Sequence, residues 1–118
     1  MIGLDRLIKK PGVIAAGQFD DNGDIKRAVG EMPDEAKKIF AQVAKDNEQL
    51  FKKQCELLSK EIAPEWQPYT GWAMWSGKYA FCIVGRTGVV VEINKADFNQ
   101  LMIDLIDENP TGPRQRNY

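Results

Sequence analysis

Two cysteines, no histidine and one dense run of aspartates are what this sequence offers to chemistry. Without histidine the chain has no imidazole for Ser/His or Cys/His nucleophile systems, for zinc ligation or for proton transfer near neutral pH. Cys55 and Cys82 form neither a disulfide framework nor a metal motif, and both read as reduced packing residues. The run Asp20-Asp21-Asn22-Gly23-Asp24 sets Asp20, Asn22, Asp24 and Glu31 at the spacing of calcium-loop ligands, but the position that needs glycine for the sharp turn holds Ile25. Its Asn-Gly pair is a hairpin signal instead. Gly85-Arg86-Thr87-Gly88 lacks the spacing of a phosphate loop, and it leads into a strand, Val89 to Ile93, rather than a helix, so a tight turn is expected there. Glu92, between Val91 and Ile93, points away from its strand's core face and fits a surface residue better than a proton donor. No catalytic, cofactor-binding or metal-ligating residue is assigned, and the expectation is a protein without enzymatic activity and without a cofactor.

What remains is recognition chemistry. Trp66, Tyr69, Trp72 and Trp75 fall within ten residues. Such side chains bury large areas while keeping a polar handle, and they concentrate energy at interfaces. Tyr69 to Ser76 reads as a strand, with Thr70, Trp72 and Met74 on one face and Gly71, Ala73 and Trp75 on the other. The two tryptophans therefore sit under different elements. If this strand is a sheet edge, its unpaired backbone groups invite a partner strand; the alternative is that the aromatics fill the core of one protomer.

Positioning falls to one long helix, predicted over Pro33 to Ile62. Proline suits a first helical position, Asp34 and Glu35 suit the positive end of the helix dipole, and no Gly or Pro interrupts the run before Pro64. At about 45 Å it exceeds the diameter of about 35 Å of a compact domain of this length. Ile39, Val43, Leu50 and Leu57 lie on one flank of an apolar arc, and Phe40, Ala44, Phe51, Cys55, Leu58 and Ile62 on the other, with Asn47 and Gln54 between. That arc, roughly 160° wide, is broader than one core requires. One flank is expected to cover the domain's own core and the other to meet the same helix of a second copy, the amides fixing register; the alternative places both flanks in one core. The expected dimer interface comprises Val43, Asn47, Leu50, Gln54, Leu57, Trp72 and Trp75.

The remaining elements are shorter. Met1 to Lys10 is a short amphipathic helix ended by Pro11-Gly12. Val13 to Phe19 and Ile25 to Val29 form the hairpin, and Ala63 to Pro68 is a linker. Tyr69 to Ser76, Tyr79 to Gly85 and Val89 to Ile93 make an antiparallel meander. Asn94 is expected to cap a last helix reaching Glu108, whose inner face carries Phe98, Leu101, Met102, Leu105 and Ile106. Residues 110–118 read as a flexible tail beyond a domain spanning 1–109.

At 118 residues, 43% hydrophobic and 28% charged, the chain suits one globular domain. A net charge of -1, with no basic field, argues against nucleic acid as a partner. The first ten residues contain Asp5 and Arg6 among short apolar runs, unlike a signal peptide or a membrane span, so a cytoplasmic protein without a membrane partner is expected.

The order helix, hairpin, long helix, three-stranded meander, helix resembles the roadblock/LC7 superfamily over Met1 to about Glu108. The strings Met-Ile-Gly-Leu-Asp, Pro11-Gly-Val-Ile-Ala-Ala-Gly, Phe19-Asp-Asp-Asn-Gly, Gly71-Trp-Ala-Met, Gly88-Val-Val-Val-Glu and Lys95-Ala-Asp-Phe-Asn are similar to a small prokaryotic branch of unassigned function. The resemblance implies an α+β sandwich with a profilin-like five-stranded antiparallel sheet, the long helix on one face and the two terminal helices on the other. It implies a homodimer joined through the long helices and third strands, and a role as a scaffold or a regulator of a small GTPase. No functional residue carries over. The reading is a noncatalytic homodimeric scaffold or adaptor with a protein partner, such as a small GTPase or other NTPase; the alternative is a small-molecule sensor or carrier with a pocket lined by the tryptophans.

Overall fold

The computed structural model describes residues 3–108. The helix α1 (Leu4–Leu7) leads into β1 (Val13–Phe19) and β2 (Ile25–Gly30), then α2 (Asp34–Glu61), β3 (Gly71–Trp75), β4 (Tyr79–Val84), β5 (Thr87–Glu92) and α3 (Phe98–Glu108). One five-stranded sheet in the order β2-β1-β5-β4-β3 holds all the strands, and every neighbouring pair is antiparallel. The strand alternation expected from sequence separates two apolar layers. Leu4, Leu7, Val13, Cys82, Val89, Val91, Leu101 and Leu105 pack on the face covered by α1 and α3. Ala15, Phe19, Ala41, Ala44, Trp72, Phe81, Ile83 and Val90 pack on the face covered by α2.

Local chemistry accounts for the turns. In the first hairpin the Asp20 carboxylate accepts hydrogen bonds from the backbone N–H groups of Asn22 and Asp24, at 2.9 and 3.0 Å, and Gly23 adopts φ of +86°. The aspartates thus shape a turn, and the Lys45 ammonium, 3.1 Å from Asp24, ties its tip to α2. Between β4 and β5 the turn consists of Gly85 and Arg86, flanked by the paired residues Val84 and Thr87. The fifth strand therefore starts two residues before the predicted Val89, because Thr87 pairs with both Val84 and Gln18.

Other boundaries also differ from the sequence reading. The first helix is a single turn, because the amides of Lys9 and Lys10 bond to the carbonyls of Arg6 and Leu7, three residues back, and tighten the chain toward Pro11. The expected linker contains a 3-10 turn, Pro64–Trp66. Asn94 does not cap α3: it lies inside a 3-10 turn, Ile93–Lys95, and Asp97 takes the role, its carboxylate accepting from the Gln100 amide at 3.2 Å. The side chain of Asp104, buried on α3, accepts from Gln100 Nε2 at 3.1 Å and lies 3.1 Å from Lys10 Nζ, which fastens the turn after α1 to α3. The expected tail, 110–118, lies outside the described residues.

Candidate functional site

The interface residues expected from sequence divide into three groups. Leu50 and Leu57 are 50% and 60% exposed, and Ile39 on the same flank of α2 is 65% exposed. Val43 is half-buried and packs against the core under α2, Asn47 is half-buried, and Gln54 is exposed. The inner flank is held by Ala41, Ala44, Phe40 and Phe51, with the Phe40 ring edge-on to Phe81 at 4.9 Å and Phe51 stacked 6.4 Å from Trp72. So α2 has one flank on its own core and an aliphatic flank in solvent.

The tryptophans part company as the alternation requires. Trp75, 53% exposed, lies on the α3 side with its ring 5.1 Å from Phe98. Trp72 is only 9% exposed and meets Phe81 edge-on at 5.1 Å. It belongs to the domain's own core and offers almost no surface to a second chain, because α2 covers the face of β3 on which it stands. Its indole N–H, also buried, has no hydrogen-bond partner among the described residues.

The two edges of the sheet differ in charge. Both β2 and β3 end the sheet. On β2, exposed Lys26 and Arg27 guard the edge, the usual defence against strand addition. No charged residue stands on β3, whose sequence is Gly-Trp-Ala-Met-Trp, and Met74, Trp75 and Tyr79 beside it are exposed. The β3 edge and the aliphatic flank of α2 are thus both uncovered among the described residues.

Between that edge and the N-terminal half of α2 runs an apolar groove of ≈ 330 Å³, floored by Ile14, Phe81 and Val90 and walled by Met32, Phe40 and Met74. No tryptophan lines it, unlike the pocket of the alternative reading. Trp72 instead borders a smaller crevice of ≈ 60 Å³ with Tyr69, Glu48, Lys45 and Arg86, where Arg86 pairs with Asp21. The groove escaped the sequence reading because it joins residues from β1, β3, β4, β5 and α2 that share no local period.

The Tyr69 phenol and the Cys82 thiol are both held protonated near neutral pH. Burial, then the nearby Glu48 and Cys55, raises the Tyr69 phenol well above its ordinary value. Burial alone pushes the Cys82 thiol from 9.0 to about 11. Between those values the folded protein holds a proton that the unfolded chain has lost. Stability from this source is therefore whole below about pH 9 and is lost as pH rises toward 11, on the order of 2–3 kcal/mol in all. Urea unfolding of wild type and Cys82→Ala across that range should show a shallower decline in the variant; equal slopes would reject the assignment. Tyr69 adds to the same alkaline loss, and Tyr69→Phe should remove its share.

Among the described residues no helix is long and apolar enough to cross a membrane. A family model described as "Uncharacterized conserved protein (DUF2173)" matches residues 3–107. No curated protein matches the chain. Among solved structures, the Roadblock/LC7 domain from Streptomyces avermitilis is similar with a TM-score of 0.64 over 86% of this chain and 84% of that one, at 11% sequence identity. At that identity the likeness concerns the fold.

Proposed function

The chain belongs to the DUF2173 family of uncharacterized conserved proteins and has the roadblock/LC7 fold, and from that premise we propose that it is a noncatalytic homodimeric adaptor. The observation that carries the reading is that α2, packed on β3 through Phe51 and Trp72, leaves its flank Ile39, Leu50 and Leu57 exposed, while the edge of β3 carries no charge. Two copies joined at both features would bury the aliphatic flank and pair the free backbone groups of β3. The joined sheets and helices then form one continuous platform for a protein partner, with a small GTPase or other NTPase as the class. The absence of histidine and the deep burial of Cys82 support a role without chemistry of its own.

Light scattering on wild type and Leu50→Asp tests the dimer. Leu50 is half-exposed, so the substitution spares the core; a dimeric wild type and a folded monomeric variant are expected. A wild type that is monomeric at high concentration would end the homodimer reading. For the partner, the expected result is saturable binding of a purified GTPase from the same cell in one nucleotide state, weakened by Leu50→Asp.

A second reading rests on the groove. Its apolar floor and ≈ 330 Å³ suit a small hydrophobic molecule, which would make the protein a sensor or carrier. Native mass spectrometry of freshly purified protein separates the readings, since a carrier retains a ligand of defined mass.

A further inference from the structure

We infer that the crevice beside Trp72 is a binding site for a small primary carboxamide, whose carbonyl oxygen accepts from the Trp72 indole N–H and the Tyr69 hydroxyl while its amide nitrogen donates to Glu48. The site shares no lining residue with the apolar groove and none with the exposed flank Ile39, Leu50 and Leu57, so it stands apart from the dimer. Its walls come from four places in the fold: α2, the lead into β3, the tip of the first hairpin and the turn between β4 and β5.

Two neutral donors in these walls have nothing to bind. Trp72 is 9% exposed, and its buried N–H has no hydrogen-bond partner among the described residues. The Tyr69 hydroxyl has none either. Burial and the nearby Glu48 hold that phenol protonated, so it remains a donor. A buried donor without an acceptor carries an unrepaid desolvation cost, which a ligand oxygen removes.

The charged groups around the crevice are already matched. Lys45 bridges Asp24 at 3.1 Å, Arg86 pairs with Asp21, Glu48 lies 3.1 Å from Lys52, and Asp20 accepts from two turn amides. An ion entering the site would lose its hydration without gaining a free counter-charge, so a phosphate, a carboxylate or an amine fits poorly. A neutral ligand meets the groups that are free. One oxygen of Glu48 faces Lys52, and the other has no partner among the described residues, which adds an acceptor to the two donors. A carboxamide carries the complementary acceptor and donor on a single carbon. Size narrows the class further. A volume of ≈ 60 Å³ holds about four to six water-sized positions at roughly 10–15 Å³ each, the extent of acetamide and too little for an aromatic amide.

The test is a titration of the isotope-labelled full-length protein with acetamide, followed at the indole N–H signals by proton–nitrogen NMR. The chain has three tryptophans, and Trp66→Phe and Trp75→Phe, both at exposed positions, identify the Trp72 signal by elimination. A ligand this small binds at millimolar concentration. The expected result is a saturable downfield shift of the Trp72 indole proton, with Trp66 and Trp75 unmoved, and no such shift with acetate or methylammonium. Glu48→Ala, at a half-exposed helical position that spares the core, should weaken binding about tenfold, and Tyr69→Phe by a similar factor. A shift as large with acetate would make the crevice a carboxylate site, and a Trp72 signal unmoved by every probe would leave its N–H to water. Either outcome overturns the proposal, as does an affinity that neither substitution changes. A blocked Gly-Gln-Gly peptide that binds as well as acetamide would assign the crevice to a partner protein's side chain and overturn the free ligand.

Discussion

Trp72→Ala is expected to destabilise the isolated domain by about 3–5 kcal/mol, the range for removing a large aromatic from a packed core. The indole lies between Phe51 on α2 and Phe81 on β4, with Ala41, Ala44 and Ile83 in the same cluster, so its loss leaves a cavity whose walls belong to a helix and a sheet. Partial collapse of α2 onto the gap sets where in that range the value falls. Removing the unpartnered buried N–H offsets part of the loss, because an unsatisfied donor itself costs about 1–3 kcal/mol. The informative control is Trp75→Ala. Half-exposed and touching Phe98 from one side, that residue should contribute only about 1 kcal/mol to the fold. Guanidinium unfolding of the two variants at a protein concentration that keeps the chain monomeric would measure the difference. Equal midpoints would mean that Trp72 is not the keystone under α2.

Gly30→Ala is the second large effect, expected to reduce stability by about 3 kcal/mol. Gly30 ends β2 with φ of +87°, a left-handed conformation that costs other residues roughly 1–2 kcal/mol. The added methyl would also stand 2.4 Å from the Ile14 carbonyl oxygen and 2.6 Å from the Ile8 side chain. The side chain can rotate away, but the carbonyl is fixed, since it accepts the Glu31 amide at 2.9 Å in leading the chain toward α2. Strand β1 would have to shift, and the floor of the groove at Ile14 with it. Thermal unfolding gives the magnitude. A change below about 1 kcal/mol would show that the backbone around Gly30 relaxes freely. Together the two substitutions separate packing from backbone geometry: the first opens a cavity beneath α2, and the second obstructs the turn that delivers the chain to it.

These effects bear on function because the surface proposed for dimerisation stands on the same core. Leu50 and Leu57 present a usable flank only while Phe40, Ala44 and Phe51 hold the inner flank on the sheet. A variant that loosens α2 would weaken association without touching an interface residue. Dimerisation data on core variants therefore need a stability measurement beside them, whereas Leu50→Asp acts on the surface alone.

Periodicity along the chain was enough to determine the elements and their faces. The spacing of Phe40, Ala44 and Phe51, the alternation of Trp72 against Trp75, and the Asn-Gly turn each reflect interactions within a few residues, which a sequence displays directly. The five strands, the long helix and the two apolar layers are consequences of them. Periodicity also showed that α2 has more apolar arc than one core needs. Which flank would be buried was beyond it, because both flanks satisfy a helical period equally well. The sheet order β2-β1-β5-β4-β3 decided the matter, placing β3 at an edge and seating the Phe40 and Phe51 side of α2 over its neighbours. The same long-range packing drew Trp72 into the core, exchanged Asn94 for Asp97 as the cap of α3, and left a groove between Met32, Phe40 and Met74. Local spacing specifies what a segment can cover; only the closure of distant segments specifies what is left uncovered.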